Sequence, residues 1–458
     1  MTTRPPTDPP RPSVAEPAPW HPPCPRTWRL DHGVTVHAYH QPGQHVLSAR
    51  IAVPGPLSGE PEEHEGVGLI MARCLDEGTD RHTAEEMAEA LERRGIALGA
   101  GVTQLGLVLD LDMTARRLQQ ALELAVECLA TATFPDAEVR RQVRHRLSDI
   151  AQEHADPGTR AALEFLRTYY DPADRAARPA GGTRSTVAAL TPELVRAHHA
   201  AVVRPDGAVL VLAGDLDGVD VEAVVGSTLG SWASPVSPPP PPAPVGQDGR
   251  RAADAGRVVL VDRPGSVQTE VYVGAPGPSR RDSAGWGTWQ SLALALGGSP
   301  HSRLDRVLRE ERGYTYGMRC AFRPRSATGT MVVSGSVRAE VTGQALEALL
   351  EVLDTPGSDL GSEELRDAGA YVARTAPGRY ATADALAGEL AALALDGLGV
   401  DFVAAAVEQA RTLDPDRARE AWDRVRMQER TVVLVGDAQQ VLPQLSRLAG
   451  PVSVVTRD

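Results

Sequence analysis

Three short segments recur at one fixed distance along the chain. Pro42-Gly43 returns as Pro264-Gly265, and Pro54-Gly55-Pro56 returns as Pro276-Gly277-Pro278. An apolar run closing on Gly214-Asp215 returns as one closing on Gly436-Asp437, again 222 residues later. A single Gly/Pro coincidence means little, but three at one offset mark an internal duplication. The chain is therefore read as two homologous halves. Between them Ser234-Pro235-Val236-Ser237 runs into five consecutive prolines, Pro238 to Pro242. That composition favours extended polyproline II and makes a semi-rigid spacer. The division that follows is a Pro-rich disordered tail at 1–26, a first half at 27–232, a linker at 233–256 and a second half at 257–458.

Local periodicity gives each half the same order of elements. Val34 to Ala38 and Val46 to Val53 alternate on either side of a Pro-Gly turn, which predicts an antiparallel hairpin. A helix follows Gly66. Thr83 and Glu86 form a capping box for the next helix, which Gly95 can end. Val102 to Asp112 reads as one strand, and Leu118, Leu122, Ala125 and Leu129 share a helical face. A polar helix runs from about Pro135 to His154, where Pro157-Gly158 breaks it. In the second half, strands are expected at Val258–Val261, Val267–Val273 and Gly329–Val337, and helices through Leu292–Leu296 and at Arg303–Glu311. The expected fold is α+β, each half an antiparallel or mixed sheet faced by helices.

Composition narrows the function. The net charge is −13, all 47 basic residues are Arg, and Lys and Asn are absent. That balance argues against nucleic acid as a partner and weakly favours basic or neutral ligands. No stretch approaches the 18 consecutive apolar residues of a membrane span. Met1 to Pro25 has no apolar core of a secretory signal, and Cys24, Cys74, Cys128 and Cys320 are too widely spaced for a disulfide framework or a metal knuckle. A reduced, cytoplasmic protein is the expectation.

Self-contained catalytic motifs are missing: the sequence has no HExxH, no GxSxG and no Walker loop. His198 and His199 are adjacent on a predicted helix, so they point about 100° apart and cannot easily grip one metal. They read as ordinary helix residues. His64 lies in the acidic run Glu60, Glu62, Glu63, Glu65, which reads as a solvated loop, with a weak cation site as the alternative.

A family resemblance rests on longer segments. In the first half these are Gly66-Val67-Gly68, Glu77-Gly78-Thr79 and the Thr83–Glu92 stretch. In the second they are Leu296-Gly297-Gly298, Ser302-Arg303-Leu304 and Leu308-Arg309-Glu310-Glu311-Arg312-Gly313-Tyr314-Thr315-Tyr316. Over about 27 to 455 the chain resembles the pitrilysin/insulinase zinc metallopeptidases, in particular their mitochondrial-processing-peptidase-like bacterial branch. Active members carry HxxEH on the helix before the Gly-Thr, two histidines for zinc and a glutamate as general base. The matching positions here are Leu69, Ala72 and Arg73, and the third ligand falls at about Asp149. Leu and Ala cannot ligate zinc and Arg repels it, so the resemblance implies a degenerate site and no metal in this chain. It also implies that Arg309 and Tyr316, seven residues apart, act as the family's substrate-binding and oxyanion-stabilising pair, with Gly297 and Gly298 in a loop near substrate.

Some bacterial members are heterodimers in which one subunit carries HxxEH and the other the Arg/Tyr pair. The chain is expected to be that second subunit, with zinc in the partner and an unfolded peptide as substrate. Two other readings stand beside it. One is a catalytically inert structural or peptide-binding subunit. The other is an independent enzyme whose metal site uses His64 and its acidic neighbours.

Overall fold

Each half builds one six-stranded mixed sheet. The first contains β1 (Arg26–Arg29), β2 (Thr35–His40), β3 (Val46–Pro54), β4 (Ala97–Val102), β5 (Gly106–Thr114) and β6 (Val209–Gly214), in the order β1-β2-β6-β3-β5-β4. The second contains β7 (Val258–Asp262), β8 (Gln268–Gly277), β9 (Arg319–Pro324), β10 (Gly329–Arg338), β11 (Thr431–Gly436) and β12 (Val452–Val455), in the order β12-β7-β11-β8-β10-β9. Five strands repeat in the same arrangement. The sixth differs: β1 pairs antiparallel with β2, whereas β12 pairs parallel with β7. The computed structural model describes residues 20–55, 57–233, 256–325, 327–447 and 452–455. The tail up to residue 19 and the proline run of the linker lie outside the described residues.

The expected hairpins do not form. β6 inserts between β2 and β3, parallel to the first and antiparallel to the second, and β11 does the same between β7 and β8. Alternation shows that a run is a strand but not which strand lies beside it. The single strand expected over Val102–Asp112 is two, β4 and β5, joined by a turn at Thr103–Gly106. The repeated dipeptides have one physical basis. Gly43 and Gly265 take positive φ (81° and 78°) in the turns after β2 and β7, a region glycine enters freely. Their N–H groups donate to Asp215 Oδ2 (3.0 Å) and Asp437 Oδ2 (2.8 Å), the acids that close β6 and β11.

Helices of the first half are α1 (Val67–Arg73), α2 (Ala84–Glu92), α3 (Leu118–Thr131), α4 (Asp136–Ala155), α5 (Pro157–Tyr169), α6 (Arg184–Ala188), α7 (Pro192–Val202) and α8 (Val221–Thr228). The second half has α9 (Trp286–Gly297), then α10 (Arg303–Asp305) running into a π-helix at Arg306–Glu311. It continues with α11 (Thr342–Leu353), α12 (Ser362–Arg379), α13 (Ala383–Leu395), α14 (Val400–Arg411), α15 (Pro415–Arg426) and α16 (Ala438–Val441). The Thr83/Glu86 capping box starts α2 as expected. Pro157 both ends α4 and opens α5, because a helix's first turn does not need the missing N–H.

One face of each sheet is covered by its own half, with Leu47, Ile51, Leu109 and Leu122 in the first core and Val273, Val333, Leu346 and Trp289 in the second. The opposite faces are covered reciprocally. α5, from the first half, lays Phe165 and Tyr169 on Val259, Tyr272 and Val433 of the second sheet. α13, from the second half, lays Leu386, Leu390 and Ala387 on Tyr39, Ala52 and Val211 of the first. Arg50 of β3 strengthens that junction, its buried guanidinium bonding Asp110, Asp112 and, across the halves, Asp384. Among the described residues no single helix is long and apolar enough to cross a membrane.

Candidate functional site

α1 carries the positions that the resemblance assigns to a metal. It starts at Gly66, whose φ of 95° and close approach to Gly181 leave no room for a side chain. Two buried acids fix that start. Glu60 accepts from the N–H of Gly68 (2.9 Å) and Gly66 (3.3 Å), suiting the positive end of a helix dipole, and pairs with Arg175 at 2.9 Å. Glu65 pairs with Arg178 at 2.7 Å. The acidic run is thus only half a solvated loop: Glu62 and Glu63 are exposed, while Glu60 and Glu65 are buried with arginines supplied from over a hundred residues away. Their lone pairs are engaged, which removes them as cation ligands around His64.

Along α1, Leu69 is partly buried against Gly181, Ala72 is buried, and Arg73 reaches back to α4. There its Nη1 lies 2.8 Å from Asp149 Oδ2. The acid expected at the third-ligand position is therefore paired with the guanidinium that stands at the second expected histidine position. Leu, Ala and an Arg–Asp ion pair offer one carboxylate and a fixed positive charge, which do not fit Zn²⁺ with its demand for three protein ligands. The purified chain is expected to hold close to zero zinc by elemental analysis after dialysis. About one zinc per chain would contradict that.

Other candidate ligands are also accounted for. His199 bonds the carbonyl of Leu129 at 2.9 Å and meets Phe134 edge-on. His198 is driven down to about 4 by burial, so it is neutral at physiological pH. Cys74 and Cys320 thiols are pushed up to about 12 by burial, which makes them inert packing groups.

The second half arranges Arg309 and Tyr316 differently. Arg309 sits within the π-helix, exposed, and among the described residues it makes no ion pair. Gly313 turns the chain out of that helix at φ 64°. Tyr316 lies in a bend before β9, with 90% of its surface exposed. Its backbone neighbours are nonetheless fixed. Thr315 Oγ donates to the carbonyl of Ser336 (2.6 Å) and accepts from Gly317 N–H (3.0 Å).

Asp305 completes the arrangement and was not legible beforehand. It is 1% exposed, one turn before Arg309, and its Oδ1 accepts from Met318 N–H at 2.8 Å. One carboxylate thus ties the helix bearing Arg309 to the bend bearing Tyr316. The available signal was an acid between Leu304 and Leu308, at a spacing that should be apolar.

Gly297 and Gly298 end α9 rather than form a free loop. A Cβ on Gly297 would meet Cys320 N at 2.6 Å, and one on Gly298 would meet Leu294 Cα at 2.8 Å. Gly298 does line an open apolar cleft of about 370 Å³ between α9, α12 and β9, walled by Trp286, Trp289, Phe322 and Tyr371. β9 is the terminal strand of its sheet, and among the described residues its outer edge has no backbone partner.

Comparisons with known proteins agree with this layout. The model for insulinase (peptidase family M16) matches residues 35–169, and the model for the peptidase M16 inactive domain matches residues 189–368. An uncharacterized zinc protease of Streptomyces coelicolor is 30% identical over 261 residues, 55% of this chain and 54% of that protein. The chain thus matches about half the length of that relative. One from Mycobacterium leprae is 26% identical over 338 residues, covering 72% and 73%. Among solved structures, the peptidase M16 inactive domain from Pseudomonas fluorescens superposes with TM-score 0.79 at 22% identity, over 90% of this chain and 98% of that one. A protease from Helicobacter pylori does so with TM-score 0.80 at 15% identity, over 90% and 99%. At such identities these two structures speak for the fold alone.

Proposed function

The chain belongs to the M16 (insulinase) family of peptidases, and from that premise we propose that it is the zinc-free subunit of a two-subunit metallopeptidase acting in the cytoplasm on unfolded peptides. One contrast carries the reading. The four positions of the family's site hold Leu69, Ala72 and the Arg73–Asp149 ion pair, whereas Arg309 and Tyr316 are exposed, have no acidic partner among the described residues, and are held on a fixed backbone. A chain of this kind needs a homologous subunit bearing HxxEH, which brings the zinc and the general base. Arg309 would bind a substrate carbonyl and the Tyr316 hydroxyl would donate to the oxyanion as the peptide bond is attacked. The open edge of β9, beside the apolar cleft and Gly298, suits a peptide added as a further strand, a mode that reads main chain and tolerates varied sequence. Removal of a leader segment from a ribosomally made peptide is one reaction of this class.

Affinity purification of the tagged chain from its host tests the assembly. The expected result is a stoichiometric partner of similar size carrying HxxEH. Recovery of the chain alone would remove the split enzyme. A structural or peptide-binding subunit is the second reading, favoured by Gly297 and Gly298, which serve packing against Cys320 and Leu294.

A further inference from the structure

β9 presents two different faces to anything added at its edge. Cys320 and Phe322 are buried toward the helices and the apolar cleft, while Arg319 and Arg323, at alternate positions of the strand, are exposed and do not line that cleft. Arg319 and Arg323 are four residues apart, hence on one side of the strand and about 13 Å from each other at roughly 3.3 Å per residue. Their carboxylate complement within the chain is small. Arg319 lies 3.6 Å from the buried Asp305 and keeps 65% of its side chain exposed. Arg323 lies over the Tyr272 ring at 5.8 Å and makes no ion pair among the described residues. Just beyond the strand, Arg325 stacks on Tyr170 at 4.6 Å, also without an acidic partner there. The neighbouring strands bring little negative charge to this side. β10 pairs Ser334 with Arg319 and Thr330 with Arg323, and the nearest acid on β8, Glu270, bonds Ser336. In a chain of net charge −13, three arginines gathered at a sheet edge, paired among the described residues only by the buried Asp305 beside Arg319, form a local reversal of sign.

We propose that the β9 edge selects acidic peptides, and in particular an extended segment with carboxylates at positions i and i+4 and apolar residues at i+1 and i+3. The backbone of such a segment would continue the sheet. Side chains i and i+4 would stand opposite Arg319 and Arg323, as cross-strand neighbours do, and i+1 and i+3 would enter the cleft against Phe322, Trp286 and Tyr371. This reverses the weak preference for basic ligands drawn from total charge, because recognition depends on the charges at the edge and distant ones are screened within about 10 Å at 0.1 M salt. The inference rests on the reading of this half as a peptide-binding one, and it names the substrate class.

The test uses the full chain without any partner, so loss of the heterodimer and loss of this preference are separate results. The probes are fluorescein-labelled nine-residue peptides with Leu at positions 4 and 6 and Glu at 3 and 7, against the same peptide with Gln or Lys at 3 and 7. Two exposed ion pairs predict about tenfold tighter binding of the Glu peptide than of the Gln peptide at low salt, fading at 0.5 M salt. The exposed double variant Arg319→Glu/Arg323→Glu is expected to prefer the Lys peptide. N-methylation of the Glu peptide at alternate amides is expected to abolish binding if it pairs as a strand. Equal binding of the three peptides, no binding by any of them, or a Glu preference that persists in the double variant would overturn the proposal.

Discussion

Replacing Tyr316 by Phe is expected to lower the turnover of the assembled complex by about 100- to 1000-fold, the range for losing one donor to a developing oxyanion. The substitution removes a single hydroxyl from a side chain that is 90% exposed. It leaves Thr315, Gly317 and Asp305, which fix the backbone on either side, untouched. Stability of the chain and its affinity for the partner should therefore be unchanged, and the loss should fall on kcat rather than KM, as for an interaction made only in the transition state. Steady-state kinetics of the reconstituted complex gives the answer. A wild-type rate would remove Tyr316 from the chemistry and leave the chain a binding subunit.

The second large effect concerns the junction between the halves. Phe165→Ala is expected to destabilise the protein by about 3–5 kcal/mol, the cost of emptying a buried phenylalanine site. Phe165 is 2% exposed and its ring lies 4.9 Å from Tyr272 and 5.0 Å from Tyr169. It fits where Gly274 has no side chain: a Cβ there would lie 2.2 Å from the Phe165 ring. The residue belongs to the first half but its slot belongs to the second sheet. Urea unfolding should consequently show the second half losing stability through a substitution in the first, with one shifted transition instead of two. A change under about 1 kcal/mol would mean that the reciprocal helices are ornaments on two independently stable halves.

Much of this architecture was legible before any coordinates. The duplication showed itself through turn glycines and the aspartates that bond them, because these positions tolerate few residue types. Helix starts such as Thr83 were readable for the same local reason. Strand neighbours were not: β6 pairs with β2 from some 170 residues away, and alternation is silent about partners. Burial of Glu60 and Glu65 escaped for an equivalent reason, since Arg175 and Arg178 come from a remote loop. Among the site positions, Leu69, Ala72 and Arg73 are placed by the family resemblance, counted back from Gly78-Thr79, and nothing in the residues themselves marks them. The contact that defines their state, Arg73 with Asp149, joins two helices. Asp305 was overlooked because a buried carboxylate serving one backbone N–H leaves no motif.

The exchange of α5 and α13 sets an order on how the protein can be made. β6 completes the first sheet at Gly214, but the helix that shields its back ends only at Leu395. A ribosome adding about 5–20 residues per second needs roughly ten to forty seconds to bridge that interval. Throughout it Tyr39, Ala52, Val211 and Ala213 form an uncovered apolar sheet face on the nascent chain. The second half suffers no such delay, because α5 has already been synthesised when β11 emerges. Co-translational chaperone binding should accordingly concentrate on ribosomes that have passed the proline run and not yet reached α13.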